Sequence, residues 1–365
     1  MKFLEEYRDR DRVEQLLQEI SHVVTKPWKI MEVCGGQTHG LVKNGIIEML
    51  PDKITMVHGP GCPVCVTPAS LIDEAIELSK KENVVLASFG DMLRVPGTKE
   101  SLLEAKSQGA DVRVVYSPLD ALQIAQKEKD KDTVFFGVGF ETTAPAIALS
   151  VIQAKQLGLK NFFVLASHVL VPPAMEALLS DPENSIDAFL AAGHVCTIMG
   201  EKEYFPIAKK YHVPIIITGF EPVDLLQGIL MAVKQLEQGE AFVENQYSRM
   251  VKTEGNETAQ QLMQQVFETC NREWRGIGEI PLSGLEVNED YSAFDARKKF
   301  SLSISSMTET TECRAGEILR GVLKPVQCQH FGNRCTPEHP MGAPMVSSEG
   351  ACAAYYHYHR SAVSE

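Results

Sequence analysis

The sequence predicts an α/β protein: two similar parallel-sheet domains and a smaller, loop-rich one. Three observations carry that expectation. Short apolar, β-rich runs alternate with helix-period stretches from residue 28 to residue 235, the pattern of parallel strands covered by helices. Matched motifs recur along that stretch. Beyond Glu237 the periodicity lapses, and residues 313–352 carry five glycines and four prolines with little regular pattern.

In order, strands are expected at Lys29–Val33, Ile54–His58, Val84–Ser88 and Val112–Tyr116. A second set is expected at Thr133–Val138, Phe162–Ala166, Val195–Ile198 and Pro214–Thr218. Between them, Pro68–Lys81, Lys99–Gln108, Thr143–Gln156, Ala174–Leu179 and Asp224–Glu237 read as helices, and Thr258–Phe267 reads as a later one. The expected division is 28–120 for the first domain, 130–235 for the second, and 1–27 together with 238–365 for the third.

The repeat rests on positions offset by 110 residues: His58 with His168, Gly90 with Gly200, and Pro96 with Pro206. A threonine-bearing turn opens each half, VCGGQTHG in one and VGFETTAP in the other. Ligands of open α/β sheets bind at the carboxyl ends of the strands. Two such ends facing each other would form a cleft lined by Cys34, His39, Cys62, Cys65, Glu141 and His168.

Lys and Arg number 35 against 48 Asp and Glu, a formal charge of −13. That balance argues against broad nucleic-acid or anionic-membrane binding. The start MKFLEEYRDRDRVEQ lacks a signal-peptide apolar core, and no apolar run reaches the ~18 residues of a membrane helix. A cytoplasmic protein is expected.

Nine cysteines in a reducing compartment point to metal or redox chemistry rather than a disulfide framework. Cys196, in the apolar run HVCTIM, and Cys270 read as small core residues. Cys313, Cys328, Cys335 and Cys352 are separated by 14, 6 and 16 residues. Four thiolates there could hold a 4Fe–4S cluster or a zinc ion, or share no metal. Structural zinc favours close-spaced cysteine pairs, and this quartet has none.

Cys62 and Cys65 form a CxxC in GPGCPVCVTPAS. Such a pair carries a reducible disulfide, serves as half of a metal site, or consists of two unlinked thiols in a Gly/Pro turn. Thr67 and Pro68 read as N-cap and first residue of the next helix, whose positive end would stabilise a nearby thiolate. Cys34, at a strand end in CGGQTH, is suited to ligate a metal or act as a nucleophile, with His39 five residues on. His39 reads equally as a helix-start residue making a local hydrogen bond. In GFETTAP, Glu141, Thr142 and Thr143 could hold an anion or simply cap a helix. GxGxxG and the P-loop lysine are absent, so no standard nucleotide site is expected.

Taken together, CGGQTH (34–39), GPGCPVCVTP (59–68), GFETTAP (139–145), HVLVPPAM (168–175), TGFEPVD (218–224) and the cysteine spacing resemble the HypD family of NiFe-hydrogenase maturation (formation) factors. The resemblance covers nearly the whole chain. It implies two similar α/β domains and a third carrying a 4Fe–4S cluster held by Cys313, Cys328, Cys335 and Cys352. It implies that Cys62 and Cys65 are a redox dithiol. Cys34 would hold the iron of an Fe(CN)2CO unit, shared with a cysteine of the chaperone HypC, and His39 would be a functional histidine. HypE would supply cyanide, and the unit would pass to the hydrogenase large subunit. Gln37 stands where the family often has histidine; an amide delivers no proton at neutral pH, which puts an acid–base role for that position in doubt and leaves Cys34 and His39 untouched. A different reading is an iron–sulfur disulfide reductase using Cys62 and Cys65, and a third is a zinc-stabilised binding module.

Overall fold

The computed structural model describes residues 6–302 and 311–359. Eleven strands alternate with helices up to residue 287: β1 (Trp28–Glu32), β2 (Ile54–His58), β3 (Val84–Ser88), β4 (Val112–Val114), β5 (Asp132–Gly139), β6 (Phe162–Val169), β7 (Ala188–Ala192), β8 (Ile215–Thr218), β9 (Val243–Asn245), β10 (Phe267–Trp274) and β11 (Gly278–Val287). They form two sheets, ordered β2-β1-β7-β8-β9 and β10-β11-β6-β5-β3-β4. Every pairing in the first sheet is parallel, as are those among β3 to β6. β6 is buried along its whole length, as a strand covered on both faces by helices must be.

The alternation of strand and helix is as the sequence predicts, but the sheets do not divide at residues 120–130. β1 and β2 share a sheet with β7 and β8, through the pairing of β1 with β7, while β3 to β6, which lie between them in the sequence, belong to the second sheet. Periodicity reveals that strands are parallel and crossed over; it does not choose their neighbours. The two sheets still share one pattern, β2-β1-β7-β8 and β4-β3-β5-β6. The 110-residue offset does not reflect it. His58 closes β2, an edge strand, whereas His168 lies inside β6 between β5 and β11.

The predicted strand at Val195–Ile198 is a helix, Gly193–Met199, and the strand precedes it as β7. Gly193 makes the turn: a β-carbon there would stand 2.2 Å from the Thr218 carbonyl oxygen. Tertiary packing overrides the β-branched propensity of Val195 and Ile198. Segments assigned to the third domain also join the sheets. β9 extends the first, the β10–β11 hairpin extends the second, and the Arg10–Val23 helix packs on the Pro222–Gln238 helix. Leu16, Ile20, Leu226 and Ile229 are buried in that contact. Among the described residues no helix is long and apolar enough to cross a membrane.

The 313–352 stretch is held in short turns, including Ala315–Leu319, Pro325–Gln327 and Ala343–Met345, and runs into a helix, Ala351–Tyr358. That helix packs along the Gly35–Lys43 helix.

Candidate functional site

β1 ends at Glu32, and Cys34 caps the Gly35–Lys43 helix in extended conformation, φ −146° and ψ 122°. The loop after β2 lies flat on this turn. Gly35 N–H donates to the Gly61 carbonyl at 2.8 Å, and a β-carbon on Gly61 would stand 2.3 Å from the Cys34 nitrogen. Only glycine allows that approach. On the other side, a β-carbon on Gly35 would stand 2.4 Å from Glu349 Cβ. The Cys34 turn is thus enclosed by the CxxC loop and the four-cysteine segment. Burial, followed by the Glu349 charge, pushes the half-buried Cys34 thiol up to about 12.

Beneath the turn lies a buried polar network. β1 and β2 are in register with Glu32 opposite His58, which sets the two side chains side by side. Glu32 Oε2 accepts the Cys34 N–H at 2.9 Å. Its Oε1 accepts from the Thr38 hydroxyl and meets His58 Nδ1 at 2.7 Å. His58 Nε2 meets the Tyr355 hydroxyl at 3.0 Å. Glu32, Thr38, His58 and Tyr355 are all buried, so each polar atom depends on the next for its hydrogen bond.

Cys62 and Cys65 are joined in a disulfide with Cα atoms 5.2 Å apart. The sequence reading places this pair a few residues ahead of a helix capped by Thr67. Instead Cys62 itself caps a helical turn, Pro63–Val66, its sulfur accepting the Cys65 N–H at 3.2 Å. Pro63, with its fixed φ, starts that turn. Thr67 donates back to the Pro63 carbonyl at 2.9 Å, and the next helix, Ala69–Ser79, follows Pro68. The turn packs against Ala343–Met345 of the four-cysteine segment. The Arg275 N–H, at the tip of the β10–β11 hairpin, donates to the Val66 carbonyl at 2.8 Å.

Cys313, Cys328 and Cys352 are half-buried and Cys335 is buried. Every pair among these four interacts electrostatically. Burial, then the other three sulfurs, raises the Cys352 thiol. Backbone N–H groups point at this sulfur set, with Met341 N–H 3.4 Å from Cys335 Sγ. Among the described residues no three His, Cys, Asp or Glu side chains are set to hold a single metal ion.

The remaining predicted residues fare differently. His39 sits on the Gly35–Lys43 helix with its ring edge-on to Tyr358 at 5.1 Å. Glu141 is buried; its Oε1 accepts the Val171 N–H at 2.9 Å and its Oε2 has no hydrogen-bond partner. Burial lifts it to about 8. It acts on the buried Cys196 thiol, as does Cys34, so these groups share one interior region. His168 does not line a cleft with Cys34. It is fully buried over Gly137 and Gly139, 5.6 Å from the Phe267 ring, with neither nitrogen hydrogen-bonded, and burial lowers it to about 3. Cys270 is not core: it is half-buried on β10, where Arg272 donates to its sulfur at 3.2 Å. Gln37 is a structural tie, its amide donating to the Ala191 carbonyl at 2.9 Å and to Thr218 Oγ1 at 2.6 Å.

Sequence reasoning misses Glu32, Tyr355, Glu349 and the exposed His194, whose ring stacks on Phe220 at 3.9 Å beside Gly36. It uses His58 only as a repeat marker. One signal was available: a glutamate and a histidine each ending an apolar strand.

Comparison with known proteins adds a family. The HypD family model, described as "Hydrogenase formation hypA family", matches residues 11–359. The chain is 46% identical over 369 residues to the "Hydrogenase maturation factor HypD" of Azotobacter vinelandii, covering 99% of this chain and 97% of the relative. It is 46% identical over 366 residues to the protein of that name from Escherichia coli K12, covering 98% of each. The Rhodobacter capsulatus protein of that name is 46% identical over 370 residues, again with 98% of each covered.

Proposed function

The chain belongs to the HypD family of hydrogenase maturation factors, and we propose that it is a redox-active scaffold on which, with HypC, the Fe(CN)2CO unit is assembled. The observation that carries this reading is the enclosure of the Cys34 turn by the other two thiol sites, through Gly61 on one side and Glu349 on the other.

Iron is the cargo, and Cys34 is its ligand on this chain, with a HypC cysteine as the second. A soft thiolate suits iron that carries cyanide and carbon monoxide. Burial and neighbouring carboxylates keep the proton on free Cys34, so cargo binding displaces that proton and the cation supplies the missing positive charge. Glu32 holds the Cys34 backbone, and the Gly61 loop closes over it. The Cys62–Cys65 disulfide takes up two electrons and two protons to become a dithiol, and returns them on closing. Cys313, Cys328, Cys335 and Cys352 would hold a 4Fe–4S cluster, which supplies one-electron chemistry when bound. HypE is the cyanide source, the hydrogenase large subunit receives the unit, and the cytoplasm is the setting.

The test is infrared spectroscopy of the complex with HypC. Cys34→Ala should remove the CN and CO bands and leave the cluster's visible absorbance; unchanged bands would overturn the assignment. The Cys62–Cys65 disulfide also suits an iron–sulfur disulfide reductase, which needs no CN or CO bands in the wild-type complex.

A further inference from the structure

The buried network under Cys34 does more than fill space. It starts at the Cys34 backbone N–H, runs through Glu32 and His58, and ends on Tyr355. Tyr355 stands on the helix that begins one residue before Cys352. His58 stands four residues before Cys62, in the strand that leads into the CxxC loop. One chain of hydrogen bonds therefore touches the roots of all three thiol sites.

We propose that Tyr355 is a positioning residue for Cys34: through His58 and Glu32 it ties the helix of Cys352 to the turn that presents the Cys34 thiol, and holds that thiol in place.

The chemistry of each link supports this. A carboxylate only accepts, so the bond between Glu32 and His58 is donated by Nδ1–H. In the neutral ring Nε2 is then the acceptor for the Tyr355 hydroxyl. Both Glu32 oxygens are engaged, so the carboxylate cannot move toward one partner without losing another. Removing the Tyr355 hydroxyl orphans His58 Nε2 in a dry interior, and the ring must turn to satisfy it. That turn withdraws the Nδ1–H from Glu32 and frees the carboxylate that grips Cys34. The same helix also meets the helix that Cys34 caps, through Tyr358, which lies edge-on to His39 at 5.1 Å, and Glu349, two residues ahead of it, covers Gly35.

The proposal deepens the Cys34 reading, and its test separates the two. The full chain is alkylated with iodoacetamide at one fixed pH, and Cys34 and Cys270 are followed in the same sample by mass spectrometry. Tyr355→Phe keeps the ring and the packing. It should raise the Cys34 rate about fivefold, the size of one net hydrogen bond, with Cys270 at its wild-type rate. Tyr356→Phe, on an exposed neighbour of the same helix, should change neither. The proposal is overturned if the Cys34 rate fails to rise in Tyr355→Phe, or rises in step with Cys270. If Tyr355→Phe does not fold, His58→Gln breaks the same chain and is judged by the same two rates. Iron loading at Cys34 is a separate measurement: its absence from wild-type protein would overturn the cargo reading and leave this alkylation result standing.

Discussion

Gly61 lies so close to Cys34 that a β-carbon on it would stand 2.3 Å from the Cys34 backbone nitrogen and 2.5 Å from its α-carbon. The contact is backbone against backbone, so no side-chain rotation relieves it. Gly61→Ala must therefore push the CxxC loop off the Cys34 turn, at a cost of about 3 kcal/mol for overpacking a rigid site. Urea unfolding measures it. Gly90→Ala is the contrast: its β-carbon meets nothing nearer than Val114 Cγ1 at 3.7 Å, and its stability should stay within about 0.5 kcal/mol of wild type. Equal losses in the two variants would contradict the close approach.

Gln37 has a stricter requirement than its polarity suggests. Its amide N–H groups donate to Ala191 and Thr218 from a fully buried position. Gln37→Glu has the same shape and, as a carboxylate, no donor, and it sets that charge against the Ala191 carbonyl. The expected loss is about 3 kcal/mol, read by urea unfolding at pH 7. A loss below about 1 kcal/mol would show that these bonds carry little net stability.

Glu141 predicts a pH dependence with a definite sign. Burial raises its carboxyl to about 8 from the ordinary 4.5. Between those values the native chain binds one more proton than the unfolded chain. The contribution is therefore complete below the unfolded value and is lost as pH rises toward 8. Glu141→Gln stays neutral throughout. Its stability relative to wild type should increase from pH 5 to pH 8, in parallel urea titrations. A flat difference would place the Glu141 carboxyl in ordinary solvent.

The disulfide predicts a thiol pattern. Protein purified without reductant should leave Cys62 and Cys65 unalkylated, and unfolding alone should not change that. After reduction and unfolding both should react, and reoxidation should protect both again. Independent labelling of one cysteine but not the other would exclude the paired state.

Much of this architecture is legible in the sequence. The runs at Ile54–His58 and Val84–Ser88 are strands to the residue, because short apolar β-rich segments bounded by turn residues have few other stable states. Glycines around Cys34 and Cys62 announce a close backbone approach before any coordinate exists. The Val195–Ile198 run is misleading because its β-branched residues pack as a helix once Gly193 turns the chain against Thr218. Glu32 escapes notice because a lone glutamate at a strand end has many uses, and only the β1–β2 register selects His58 as its partner.

What the sequence by itself determined is local: the strands and helices, the three groups of cysteines, the glycines between them, and the family resemblance those motifs carry. Tertiary structure alone decided which strands are neighbours, that β3 to β6 join the β10–β11 hairpin in a second sheet, and that the Ala351–Tyr358 helix lies beside the helix that Cys34 caps. The physical reason is that side-chain periodicity records which face of an element is buried, whereas partner choice depends on contacts between residues hundreds of positions apart. The hydrogen bond between His58 and Tyr355, which joins residues 297 positions apart beneath Cys34, is such a contact.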